Sequence, residues 1–153
     1  TPIYKDVVSI YKREIIPEWK SIWTNICNHN TSNYFLLYKD LPINTSLVLN
    51  FFTSRKHSTT ITRIRMNHGN FPSHLYKIGL NESPLCEDDN EIADLNHLFL
   101  ACSRYSNARD NFIAELIRLG YQLPININTL MVSERKDVYV SVIEFCKNTG
   151  LWI

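Results

Sequence analysis

The sequence predicts a mainly α fold, a small helical domain carrying a short irregular or hairpin segment near residues 84–105. Two observations lead there. Apolar residues recur at about 3.6-residue spacing in several separate stretches, and Pro, Gly and Asn stand where such stretches would start and stop. A chain of 153 residues that is 44% hydrophobic has enough apolar side chains for one core.

Taken in order, Pro2 suits a first helical turn and Asp6 favours its amino end, while Ile3, Val7, Val8, Ile10, Tyr11, Ile15 and Ile16 lie near a helical period. Pro17 is expected to end or kink this helix. Trp19, Trp23, Ile26 and Cys27 then continue a second helical segment to about His29, with Trp19 and Trp23 as one buried edge. Residues 28–33 are small and polar and read as a loop. Residues 34–38 read as a strand or extended arm. One or two helices are expected over residues 46–66, the second starting near Ser54 or Ser58, and a short helix over 72–78. Asp94 has the chemistry of an N-cap for a helix over 95–101. Further helices are expected over about 106–119, stopped by Gly120, and from Val132 or Ser133 to about Lys147, with residues 124–128 as a linker. The expected organisation is a helical linker segment over 1–32 and a helical domain over 33–153.

No apolar run approaches the roughly 20 residues of a membrane span, so a soluble protein is expected. The chain opens at Thr1 without Met and without a signal-peptide pattern, which suggests a piece of a longer, intracellular chain acting in cytoplasm or nucleus. Four scattered cysteines, Cys27, Cys86, Cys102 and Cys146, do not resemble a disulfide scaffold and read as reduced thiols. The formal charge of +1 conceals an asymmetry: residues 1–80 hold ten Lys and Arg against four Asp and Glu, residues 81–153 six against eleven. A basic half is what a polyanion would use; the alternative is that the two halves attract each other.

Arg55, Lys56, His57, Arg63, Arg65 and His68 gather within fourteen residues. On a helix, cations and hydroxyls there can share a solvent side while Ile61, Ile64 and Met66 turn elsewhere. Arg55, Lys56, Arg63, Arg65 and His68 are therefore the candidate nucleic-acid contacts, able to hold phosphates without reading bases. An ordinary solvated helix face is the alternative. Catalytic motifs are absent: there is no glycine-rich phosphate loop, no Gly-x-Ser-x-Gly elbow and no His-Glu-x-x-His helix. The expectation is a chain that is not itself an enzyme.

The densest set of metal-ligating residue types is Cys86, Asp88, Asp89, His97 and Cys102, inside seventeen residues. Such a set suits zinc, although only one thiol precedes His97. Alternatively, Leu95, Leu98, Phe99 and Cys102 form an apolar helical face on which Cys102 is an ordinary buried thiol. The stretch 85–88 followed by Asp94-Leu95-Asn96-His97-Leu98-Phe99-Leu100-Ala101-Cys102-Ser103-Arg104-Tyr105 resembles the Cys-Cys-His-Cys knuckle at the carboxyl end of the second open reading frame of insect-type non-LTR retrotransposons. In those polyproteins the knuckle follows reverse transcriptase and often ribonuclease H domains. Residues 54–69 are similar to the stretch that precedes the knuckle, and the Trp19–Trp23 pair to the segment joining it to the ribonuclease H domain. The resemblance covers most of residues 3–120. It implies a knuckle-like segment over 84–105, ligand positions for Cys86, His97 and Cys102, and Asp88 where a second cysteine would stand. It also implies zinc as the cofactor, RNA or DNA and the upstream domains of the same polyprotein as partners, and any catalysis in those upstream domains. A structural or protein-interaction helical module without nucleic-acid binding is the competing expectation.

Overall fold

The computed structural model of the chain describes residues 2–30, 32–40, 54–133 and 135–153. The chain divides into two compact units, residues 1–45 and residues 46–153. The first thus extends past residue 32.

In the first unit, α1 (Pro2–His29) is one continuous helix with Pro17 inside it. Pro17 was expected to end or kink it, but the helix runs on past this exposed position, where proline removes one intrahelical bond. The second segment, α2 (Asn33–Leu37), is a short helix rather than a strand. It has no ladder partner among the described residues, and what places it is an aromatic cluster: Trp23 meets Tyr34 edge-on at 5.9 Å and Phe35 at 5.5 Å. The Trp23 indole N–H donates to the Tyr38 carbonyl at 2.9 Å, which closes the turn. Trp19, expected beside Trp23 on a buried edge, is instead 59% exposed.

The second unit contains α3 (Arg55–Arg65), α4 (Pro72–Lys77), α5 (Leu95–Leu100), a 3-10 turn at Ser103–Tyr105, α6 (Ser106–Arg118), α7 (Ile127–Val132) and α8 (Lys136–Thr149). Residues 46–53, where a further helix was expected, lie outside the described residues. No strand occurs among the described residues, only an isolated antiparallel bridge between Leu85 and Ile92. None of the described helices is long and apolar enough to cross a membrane.

The helix α8 is the spine of this unit. It presents Val138, Tyr139, Val142, Ile143, Phe145 and Cys146 inward at i, i+3, i+4 spacing. The helix α6 packs along it through Phe112 and Leu116, and α3 crosses it and α7 through Ile61 and Ile64. Phe145 stacks on Phe99 of α5 at 4.6 Å and lies 5.4 Å from Phe112, so one aromatic cluster joins three helices. Gly150, at φ 69°, ends α8 in the left-handed conformation that glycine adopts without penalty. The final residues fold back on α3, where the Arg63 guanidinium donates to the Ile153 carbonyl at 3.3 Å. A β-carbon at Gly69 would run into the Ile153 side chain, which fixes glycine there.

The stretch 124–128, expected as a linker, contains the start of α7. Asn126 caps it by accepting from the Asn128 and Thr129 N–H groups at 2.9 and 3.3 Å. Asn96 of α5 accepts the Ile127 N–H at 2.8 Å and ties the two helices together. The final helix begins at Lys136, a little after its expected start.

Deleting the ring at the centre of this core should be costly. Phe145→Ala is expected to destabilise the chain by about 3–5 kcal/mol, whereas Trp19→Ala, at an exposed site, should cost about 0.5 kcal/mol or less. Urea denaturation followed by far-ultraviolet circular dichroism measures both, and equal losses would contradict this division of core and surface.

Candidate metal centre

Residues 84–105 form a small hairpin followed by a short helix. The hairpin is closed by two backbone bonds, Cys86 N–H to Glu91 carbonyl at 2.7 Å and Ala93 N–H to Pro84 carbonyl at 2.9 Å. Between them the Asn90 N–H returns to the Cys86 carbonyl at 3.0 Å, and Asn90 takes the left-handed conformation at φ 55°. This turn swings the Asp89 side chain back toward Cys86. On the helical side, the Asp94 carboxylate accepts the His97 N–H at 2.8 Å, the N-cap expected from sequence. The cap fixes where α5 starts. It thereby fixes which way His97 points. After α5 the Cys102 N–H bonds the His97 carbonyl at 2.7 Å and brings the thiol round beneath the imidazole.

The result is a four-donor cluster. One ligating atom each from Cys86, Asp89, His97 and Cys102 lies within 4.8 Å of the others. The two sulfurs are 3.7 Å apart, far beyond the roughly 2.05 Å of a disulfide. Two sulfurs bonded at about 2.3 Å to one tetrahedral ion would be held about 3.8 Å apart. His97 Nε2 and Asp89 Oδ2 are separated by 3.2 Å, against about 3.3 Å for nitrogen and oxygen ligands at tetrahedral zinc distances. The spacing therefore fits a tetrahedral ion on two independent edges.

Burial supports the same conclusion. His97 is only 6% exposed, and neither of its ring nitrogens makes a hydrogen bond. Nε2 faces Asp89, and Nδ1 lies 3.4 Å from the exposed Glu91 carboxylate. A buried imidazole without a hydrogen bond is costly in a helical core. The same imidazole is well placed as a ligand whose outer nitrogen a carboxylate orients.

The electrostatics set the two thiols apart. Burial pushes the Cys86 thiol up, but the Asp89 and Asp88 N–H groups, then His97 and Cys102, outweigh it and hold Cys86 below the ordinary thiol range. Cys102 is pushed up to about 11, first by burial and then, against the Arg104 N–H, by the neighbouring Cys86 sulfur. Asp89 is held below the usual carboxylate range, chiefly by hydrogen bonds from Ser103, whose N–H lies 3.0 Å from Oδ2.

Sequence placed Asp88 in this set, and the structure puts Asp89 there instead. Asp88 pairs with the Arg104 guanidinium at 2.6 Å, which Glu87 also approaches at 3.3 Å. Arg104 thereby clamps the hairpin to the segment after α5. Arg109 braces the same segment through the Ala101 and Cys102 carbonyls at 2.8 and 3.2 Å. Neither arginine was singled out from sequence, and no spacing rule would have found them.

The basic stretch is divided. Arg55, Lys56, Arg63 and His68 are exposed on and beside α3, and among the described residues no carboxylate pairs with the first three. Lys56 Nζ sits 3.6 Å from the centre of the Trp152 ring, with the His57 ring stacked parallel to that indole at 6.0 Å. His68 lies against His74 at 4.1 Å. Arg65 is the correction: it is 2% exposed, with its guanidinium 5.9 Å from the Tyr139 ring, and does not reach a surface-bound phosphate. It lies four residues after Ile61, on the face that meets the core.

Compared with protein-family models, curated proteins and solved structures, the chain matches none.

Metal titration separates Asp89 from Asp88. The protein should bind one zinc ion, Asp89→Asn should weaken it about 10-fold or more, and Asp88→Asn should leave it within a few-fold of wild type. Because both thiols must lose their protons to ligate, affinity should rise with pH. Equal effects of the two substitutions, or affinity that falls as pH rises through neutrality, would overturn the assignment.

Proposed function

We propose that the second unit is a zinc-stapled helical module that holds a nucleic-acid strand and leaves catalysis to other parts of its polyprotein. The observation that carries the reading is the four-donor cluster of a buried imidazole, two sulfurs and a carboxylate, in which the sulfur–sulfur and nitrogen–oxygen separations match tetrahedral edges. Two thiolates select zinc over magnesium or calcium, which prefer oxygen ligands. Four protein donors leave no open position for a reacting water, so the ion would be structural. It would join the hairpin to α5 through Cys86 and Asp89 on one side and His97 and Cys102 on the other.

The strand-binding half of the proposal rests on charge. Several of the second unit's acids are engaged locally: Asp88 and Glu87 with Arg104, Glu115 with Arg118, Asp137 with Arg135 and Glu144 with Lys147. That supports the polyanion reading of the basic half over mutual attraction between the halves. Arg55, Lys56 and Arg63 remain on the surface of α3, where Lys56 sits over the ring of the half-buried Trp152. Cations next to an aromatic ring suit a single strand, whose phosphates and bases they can hold together. The similarity of residues 85–105 to a retrotransposon knuckle points the same way and makes RNA or DNA the partner, with the reverse transcriptase of the same polyprotein upstream.

The first unit favours a second reading. Tyr4, Val7, Tyr11, Ile15, Trp19 and Ile22 leave an apolar stripe exposed along α1, the surface of a helix that docks on protein.

Fluorescence anisotropy with labelled single-stranded RNA and DNA distinguishes the two. On the first reading the zinc-loaded chain binds at low salt, with a log–log salt slope of about −0.7 per phosphate contact. Replacing Arg55 and Arg63 together by Ala should then flatten the slope by about 1.4. Absence of binding at low salt, or loss of binding on Trp19→Glu with Ile22→Glu but not on the α3 substitutions, would leave the protein-docking reading in its place.

A further inference from the structure

The two cysteines of the centre line an open cavity, and that has a chemical consequence separate from metal binding. A cavity of about 430 Å³ lies against the hairpin, with Cys86 and Cys102 in its lining beside Phe71, Leu98, Tyr105 and Leu151. The thiols are thus covered from bulk solvent, at 8% and 1% exposure, yet border a space that a small solute can enter. Both lie outside regular helices: Cys86 precedes the turn at 87–89, and Cys102 lies between α5 and the 3-10 turn. Closing their 3.7 Å separation to a bond of about 2.0 Å asks each sulfur to move about 0.8 Å.

The geometry points to Cys86 and Cys102 as an oxidisable dithiol, a modification site at which a peroxide of hydrogen-peroxide size forms a disulfide. The proposal deepens the metal reading, on which it rests for one consequence: the disulfide removes two of the four donors and releases the ion. Cys86, as thiolate, attacks one oxygen of hydrogen peroxide and breaks the O–O bond. The departing hydroxide takes a proton and leaves as water, and Cys86 becomes a sulfenic acid. The Cys102 sulfur then attacks the Cys86 sulfur, forms the S–S bond and expels hydroxide, which leaves as water with a proton from the Cys102 thiol or, where that sulfur had bound the ion, from solvent. Two thiols lose two electrons, and one peroxide gains them. The other two cysteines lack this arrangement. Cys146 is fully buried, with its thiol pushed up to about 12 by burial. Cys27 is in the first unit, its sulfur 3.6 Å from the Tyr38 carbonyl.

The test uses the full chain loaded with zinc and treated with graded hydrogen peroxide. The expected result is a mass loss of about 2 Da for the two hydrogens, a peptide cross-link between Cys86 and Cys102, release of one equivalent of zinc to a chromophoric chelator, and reversal by dithiothreitol. Cys102→Ser should halt Cys86 at a sulfenic acid that dimedone traps. Cross-linking in protein that carried no zinc beforehand would sustain the dithiol and remove the metal reading. Zinc retained with both thiols intact while Cys27 is oxidised, or Cys86 driven to sulfinic acid without a cross-link, would overturn the dithiol and leave the metal reading standing.

Discussion

A helix of six residues has no stability of its own, because nucleation is never repaid over so short a length. The chain nevertheless hangs its second unit on one, α5 (Leu95–Leu100). Its inward face carries Leu95, Leu98 and Phe99 into the core, where Phe99 stacks on Phe145. Its next position round, His97, turns toward the hairpin sulfurs. Three fixed points hold the helix in register: the Asp94 cap, the Asn96 bond to α7 and the aromatic stack. Rotation of α5 by one residue, about 100°, would remove Phe99 from the core and His97 from the hairpin together. Packing and ligand geometry therefore constrain each other, and neither the core nor the centre can be adjusted alone.

The charges follow a comparable division of labour. Arg104 and Arg109 are spent on holding the hairpin and the Cys102 segment, through Asp88, Glu87 and two carbonyls. They are exposed or half-buried, and as ion pairs alone would contribute little. Their value is positional, since they limit how far Cys86 and Cys102 can separate. Among the described residues Arg55, Lys56 and Arg63 of α3 have no such task among acids and stay on the surface, whereas the core absorbs Arg65 beside Tyr139.

Much of this was legible in the sequence, for reasons specific to each element. The start of α3 was read as Ser54 or Ser58 and falls at Ser54, whose side chain makes no cap bond, whereas Asp94 marks α5 and caps it through its carboxylate. The helix α8 was visible from its apolar period and from Gly150. The helix α7 was hidden because Pro124 and two asparagines look like punctuation, although one of those asparagines, Asn126, is its cap. The helix α2 read as a strand because five residues rich in aromatics carry no period long enough to decide, and contact with Trp23 decided it. Three donors of the centre were readable from residue type, whereas the choice between Asp88 and Asp89 was not. It depends on the left-handed Asn90 and on the pull of Arg104, features of a turn's geometry rather than of spacing.

The fourth donor also sets the character of the centre. Two thiolates, one carboxylate and a neutral imidazole around a divalent ion sum to one negative charge, the same as three thiolates and an imidazole. Compared with a three-thiolate set, Asp89 as the fourth donor would leave the electrostatics of such an ion unchanged and lower only the softness of its shell. With three thiolates, loss of any one leaves two. Here Cys86 and Cys102 are the whole of the soft ligand set, sit 3.7 Å apart and border the same cavity. A centre of this composition would hold an ion through one sulfur pair, so whatever changes that pair would change the link between hairpin and helix in a single step.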